Sequence, residues 1–167
     1  PTISSTAVTS VNEDSAYSYT VTTADDDGDT ITLTGTTVPS WLTFTASSGA
    51  LAGTPDNDDV GSHSVVITAS DGNGGSVTDS FSIAVANTND APTITSTAVT
   101  AATEDVAYTY TVTAADVDSG TTITLTGTTV PSWATFTAST GVLAGTPDND
   151  DVGDHSVVIT ATDAAGA

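Results

Sequence analysis

A chain of 167 residues carries 21 Asp and Glu and not one Lys or Arg, for a formal charge of −21. Nucleic acid and anionic membrane are poor partners for it, because each phosphate contact needs a cation the chain lacks. Cys is absent, which rules out a disulfide framework and thiolate metal sites, and no apolar run approaches a membrane-spanning length.

The chain is written twice. Pro1-Thr2-Ile3 returns as Pro92-Thr93-Ile94, 91 positions later, and Trp41, Gly53-Thr54-Pro55 and His63 return as Trp133, Gly145-Thr146-Pro147 and His155, 92 positions later. The residue gained lies in the acidic loop, where Asp25-Asp26-Asp27-Gly28-Asp29 becomes Asp116-Val117-Asp118-Ser119-Gly120-Thr121. A repeat of this length is a whole small domain. The boundaries expected are residues 1–91, with 87–91 as linker, and 92–167.

Thr and Val are abundant and Met is absent, so strands are expected throughout. In chain order, residues 2–11 predict a strand broken near Ser4-Ser5. Ala16 to Thr23 alternates, with Tyr17, Tyr19 and Val21 on one face. Thr30 to Thr36 directs Ile31 and Leu33 inward, and Val38-Pro39-Ser40 turns the chain into a short strand at Trp41 to Phe44. Ala50 to Ala52 is the next strand, ended by Gly53-Thr54-Pro55. His63 to Ala69 places Val65 and Ile67 on one face, and Asp71-Gly72-Asn73-Gly74-Gly75 makes a hairpin turn. Ser76 to Ala86 closes the repeat with Val77, Phe81, Ile83 and Val85 on one face, which Asp79 interrupts. Seven short strands in about 90 residues point to an immunoglobulin-like sandwich, with an up-and-down barrel as the alternative. The second repeat stops at Asp163 to Ala167, so the counterpart of Ser76 to Ala86, its last strand, is missing, and a sheet edge is left open.

Several chemistries find no footing. Without Cys, Lys or Arg, most nucleophilic and phosphoryl-transfer mechanisms lose a member, and no Gly-x-Ser-x-Gly elbow is present. The chain reads as a non-enzyme. His63 and His155 each stand alone at a strand start, as core or edge histidines do. Trp41 and Trp133 lie in alternating apolar strands, which favours a core role over sugar stacking.

Trp41-Leu42-Thr43-Phe44, Ser48-Gly49-Ala50-Leu51-Ala52-Gly53-Thr54-Pro55 and Asp59-Val60-Gly61, with their second copies, resemble the cadherin-like, dystroglycan-type immunoglobulin repeat. That module occurs in tandem in large bacterial surface proteins and RTX-type adhesins. The resemblance implies two tandem Greek-key β-sandwiches, a place on the bacterial cell surface, and a role as extender segments that hold a ligand-binding tip away from the cell. It also implies Ca²⁺ at the junction. In the cadherin pattern the ligands correspond to Glu13, to Asp56 and Asp58, to the linker residues Asn87, Asn89, Asp90 and Ala91, and to Asp116, Asp118 and Asp163 of the next repeat. Here Asn87 replaces an Asp and Ala91 an Asn.

Loop placement in a seven-strand sandwich agrees with that set. Loops alternate between the two ends, so Glu13 and Asp56 to Asp59 belong at one end of the first repeat. Asp116, Asp118 and Asp163 belong at the opposite end of the second. Calcium takes six to eight oxygens from such groups, whereas magnesium, which keeps its waters, suits a wide acidic joint less well. Asp25, Asp27 and Asp71 make a half-site in the first repeat, and Glu104, Asp148 and Asp150 one in the second. Each needs a neighbouring repeat, so a chain continuing in both directions is expected. The partners expected are calcium and neighbouring repeats of the same chain, the present stretch being monomeric. Any one of these Asp residues is equally well explained as an ordinary turn former.

Overall fold

A computed structural model describes all residues, 1–167. It divides into two compact units, Pro1–Thr88 and Asn89–Ala167. Both are built from strands. The only helical pieces are two three-residue 3₁₀ turns, and no helix is long and apolar enough to cross a membrane.

In the first unit the strands are β1 (Thr2–Ile3), β2 (Ser10–Asn12), β3 (Tyr17–Thr20), β4 (Thr23–Ala24), β5 (Thr32–Thr37), β6 (Leu42–Thr45), β7 (Ala50–Gly53), β8 (Gly61–Ser70) and β9 (Ser76–Ala86). A four-stranded sheet runs β2-β9-β8-β5 and a three-stranded sheet β3-β7-β6, with β1 paired to β4 at the margin. All pairings are antiparallel except β2 with β9, which is parallel. The period-two alternation sends one side of each sheet inward. Tyr17, Tyr19, Leu42 and Leu51 from one sheet meet Val65, Ile67 and Ile83 from the other in a single core. This is the sandwich expected from the sequence, and the barrel alternative is set aside.

Two expected strands are divided, each for the same reason. The stretch from Ala16 to Thr23 changes sheets after Thr20, as β3 pairs with β7 whereas β4 pairs with β1. Residues 2–11 likewise serve β4 and then β9, with the intervening Ser4 to Thr9 outside any ladder. Gly53 is fixed by crowding: a methyl group there would lie 2.0 Å from the carbonyl oxygen of Trp41. Asp79 has a partner that its own strand does not reveal. The Tyr19 hydroxyl donates to Asp79 Oδ2 at 2.9 Å and also lies 2.8 Å from Ser5 Oγ, so the carboxylate on the inward face is hydrogen-bonded as its burial demands.

The second unit contains β10 (Thr93–Ile94), β11 (Tyr108–Thr111), β12 (Ala114–Ala115), β13 (Thr124–Thr129), β14 (Ala134–Thr137), β15 (Val142–Gly145) and β16 (Val158–Thr162). Its three-stranded sheet β11-β15-β14 repeats β3-β7-β6, but the other sheet is reduced to β13-β16. As expected, the last strand is missing, and more goes with it. In the first unit β2 bonds only to β9, and Gly61 to Val65 of β8 have β9 as their sole ladder partner. Without such a strand, Ala101 to Thr103 and Gly153 to Val157 form no ladder.

Leu51→Ala removes a fully buried side chain and should cost the first unit about 2–5 kcal/mol in denaturant unfolding. Burial pushes the Tyr17 hydroxyl up to about 12. An unfolded tyrosine ionises near 10, so its contribution is intact below that value and is lost as pH rises through about 12. Phenolate absorbance should show one tyrosine titrating that high, and none in Tyr17→Phe.

Candidate metal half-sites

The acidic residues fall into groups at the ends of each unit. At the end of the first unit where the chain leaves it, Glu13 is 1% exposed. Its amide donates to the Ala86 carbonyl at 2.9 Å, and its Oε1 accepts from the Thr88 amide at 2.6 Å. The next residue, Asp14, turns in the left-handed region at φ 58° and donates to the Pro55 carbonyl. This ties Glu13 to the loop holding Asp56 and Asp58. Glu13 Oε2 is buried with no hydrogen-bond partner. Asp56, by contrast, caps the 3₁₀ turn Asn57–Asp59, its Oδ1 accepting from the Asp58 amide at 3.0 Å. Asp58 and Asn87 are exposed.

In the second unit the opening residues and two loops converge. The Asp90 amide donates to Asp118 Oδ2 at 2.8 Å, and the Asn89 side-chain amide to Asp163 Oδ2 at 2.6 Å. Asp116 Oδ1 accepts from the Asp118 amide at 2.8 Å. Asp116 Oδ2 and Asp118 Oδ1 are buried and lack a hydrogen-bond partner. Asp163 Oδ1 accepts from the Gly166 and Ala167 amides. The Asn89 side chain, then the Ala167 amide, hold the Asp163 carboxyl below its usual value. Ala91 is exposed, leaving only its backbone carbonyl as a donor.

The two outer groups differ. Asp25, Asp29 and Asp71 offer carboxylate oxygens all within 4.8 Å of one another. Asp27 is exposed, its amide donating to Asp25 Oδ1 at 2.9 Å. Asp29 was not singled out in the sequence, because a run of four Asp around Gly28 does not tell which side chains turn inward. The Pro1 ammonium lies 2.9 Å from Asp25 Oδ2, and its hydrogen bond is the largest cause holding that carboxyl low. In the second unit Glu104, Asp148 and Asp150 are all exposed. Asp148 is occupied in capping the turn Asn149–Asp151.

The histidines are structural. His63 Nε2 donates to the Asp59 carbonyl at 2.6 Å, and its ring meets Trp41 edge-on at 5.9 Å. His155 repeats both contacts with Asp151 and Trp133. Trp41 also packs edge-on against Tyr17 at 5.7 Å, which places it at the rim of the core.

A buried carboxylate oxygen with no donor facing it is costly. Three of them, all hard oxygen ligands, fit a divalent cation of the calcium type. With Glu13 in one unit and Asp116 and Asp118 in the other, each unit carries part of such a donor set next to the linker.

Known proteins place the chain independently. Residues 1–86 and 91–167 each match the sequence profile of the family described as Putative Ig domain. The chain is 31% identical over 151 residues to the "Serine-rich adhesin for platelets" of Staphylococcus aureus (strain MRSA252). That match covers 87% of this chain but only 10% of the relative. Among solved structures, mouse Cadherin-23 EC22-24 superposes with a TM-score of 0.56 at 19% identity, covering 95% of this chain and 57% of that one. Human Protocadherin-24 EC1-2 superposes with a TM-score of 0.54 at 18% identity, covering 93% of this chain and 83% of that one. These likenesses show the fold.

Asn89→Ala removes the first cause of the Asp163 shift. Carboxyl NMR titration should find Asp163 ionising closer to 3.8, its ordinary value, in the variant than in the unaltered chain. The stability that the lowered value confers is present above that pH and lost as pH falls through the folded-state value.

Proposed function

As this chain belongs to the Putative Ig domain family, we propose that it is a non-catalytic extender segment of a bacterial cell-surface adhesin, stiffened by calcium bound at its linker. The observation that carries this reading is the set of buried, unpartnered carboxylate oxygens on Glu13, Asp116 and Asp118, in a chain with no Lys or Arg to neutralise them. The 31% identity to a staphylococcal adhesin supports the setting.

The residues that would hold the ion are Glu13 from the first unit, and Asn89, Asp90, Asp116, Asp118 and Asp163 from the second. The Ala91 carbonyl is a further donor. Bound calcium supplies positive charge and a demand for many oxygens at once. The chain's own part is to deliver them. The left-handed turn at Asp14 and the bond from Thr88 fix Glu13, while the amides of Asp90 and Asp118 orient the carboxylates of the other loops. Charge repulsion would let the linker pivot without the cation, and neutralisation would restrict it. Extracellular calcium at millimolar levels would then set the reach of the distal part of the protein. Asp25, Asp29 and Asp71, with Asp27 beside them, are proposed as half of a like junction with another repeat, and Glu104, Asp148 and Asp150 as half of one more.

Calcium should raise the melting temperature and narrow the spread of lengths in small-angle scattering. For affinities of ~10⁻⁴ M, typical of the tighter extracellular modules, ~10 mM calcium adds about 2.7 kcal/mol. Asp118→Asn should lose most of both effects. No change in melting or shape of the unaltered chain at that concentration would refute the reading.

A further inference from the structure

An open apolar groove of about 770 Å³ runs along the second unit, lined by Val99, Tyr110, Val112, Trp133, Val157 and Ile159 among others. The first unit shows what such a groove holds. There β9 lies antiparallel to β8 and parallel to β2, covering Tyr19, Val65 and Ile67, which are 4%, 0% and 0% exposed. Their counterparts in the second unit are Tyr110, Val157 and Ile159, and Val157 is 42% exposed. The β16 edge beside them has its hydrogen-bonding groups unpaired on that side.

We propose that this groove is a strand-acceptor site. Its occupant is an extended segment of a second polypeptide with the pattern of Ser76–Ala86: apolar at the second, sixth, eighth and tenth positions, with a carboxylate at the fourth. Register is set by chemistry as well as shape. In the first unit Phe81 pairs with Val65 and Asp79 with Ile67. Phe81 meets Tyr19 edge-on at 5.5 Å, and Asp79 Oδ2 accepts from the Tyr19 hydroxyl. Tyr110 bonds to Ser96 Oγ at 2.9 Å, as Tyr19 does to Ser5, and no carboxylate bonds to it. A carboxylate at the fourth position of the incoming strand would sit opposite Ile159 and meet Tyr110. A slip by one residue would turn every apolar side chain away from the groove. Main-chain bonds to β16 provide sequence-independent affinity, and the alternate side chains provide selection.

The test uses the full chain carrying Trp41→Phe, so that Trp133 alone reports, with a synthetic peptide of the Ser76–Ala86 sequence. Saturable blue-shifted Trp133 emission is expected, with new amide-exchange protection at Ala101 to Thr103 and along β16. A peptide carrying Phe81→Asp should bind at least about tenfold more weakly. Tyr110→Phe, or on the unaltered groove a peptide carrying Asp79→Leu, should weaken binding about fivefold, the effect of one hydrogen bond. The proposal is overturned if no saturable change occurs up to ~1 mM peptide, a weak limit for specific binding. Equal binding of all three peptides would overturn it as well. So would a chain that is dimeric with β16 already protected, since a second copy would then occupy the edge.

Discussion

Every carboxylate in this chain must be neutralised from outside it. With 21 acidic residues and no Lys or Arg, the fold has the Pro1 ammonium against Asp25 and otherwise only neutral donors: amides, hydroxyls and the Asn89 side chain. Two carboxylates ~4 Å apart repel by about 4 kcal/mol at an effective dielectric of ~20. Such repulsion is tolerable at exposed positions such as Asp26 or Asp58, where water screens it. It is not easily tolerated where Glu13, Asp116 and Asp118 are drawn inward. The polar ends of the units are therefore arranged around a charge that the sequence itself does not contain.

The apolar middle obeys a different constraint, and the two repeats separate the contributions. Where β9 is present, eleven consecutive residues tie β2 and β8 into one sheet and seal Val65 and Ile67. The second repeat has a nearly identical sequence up to that point, yet retains only the ladders that do not depend on such a strand. Its three-stranded sheet and the β13-β16 pair survive, and Leu143 remains buried like Leu51. Strand formation at Gly61 to Val65 is thus a property of the pair rather than of the segment, in line with β propensity being largely a measure of neighbours.

That distinction explains what could be read from residues alone. The alternation of Tyr17, Tyr19 and Val21, the turn at Asp71 to Gly75 and the span of Ser76–Ala86 are local signals, and the strands appear there. The role of Asp79 was illegible because its partner, Tyr19, is sixty positions earlier in the chain. Asp29 was missed since period-two reasoning has no purchase in an irregular acidic loop. The likeness of Glu13 and Asp118 to cadherin ligands pointed to the right loops. What it could not supply was the absence of hydrogen-bond donors at Glu13 Oε2 and Asp118 Oδ1, which distinguishes them from the capping residues Asp56 and Asp148.

The central claim is that residues from the two repeats serve one ion. Calorimetric calcium titration of Glu13→Gln, Asp118→Asn and the double variant tests it most directly, because groups that share a ligand are coupled whereas independent sites add. A shared ion predicts that each single variant weakens the same binding event sharply and that the double variant loses clearly less than the sum of the two. Strictly additive losses, or a binding event that either variant leaves untouched, would contradict it.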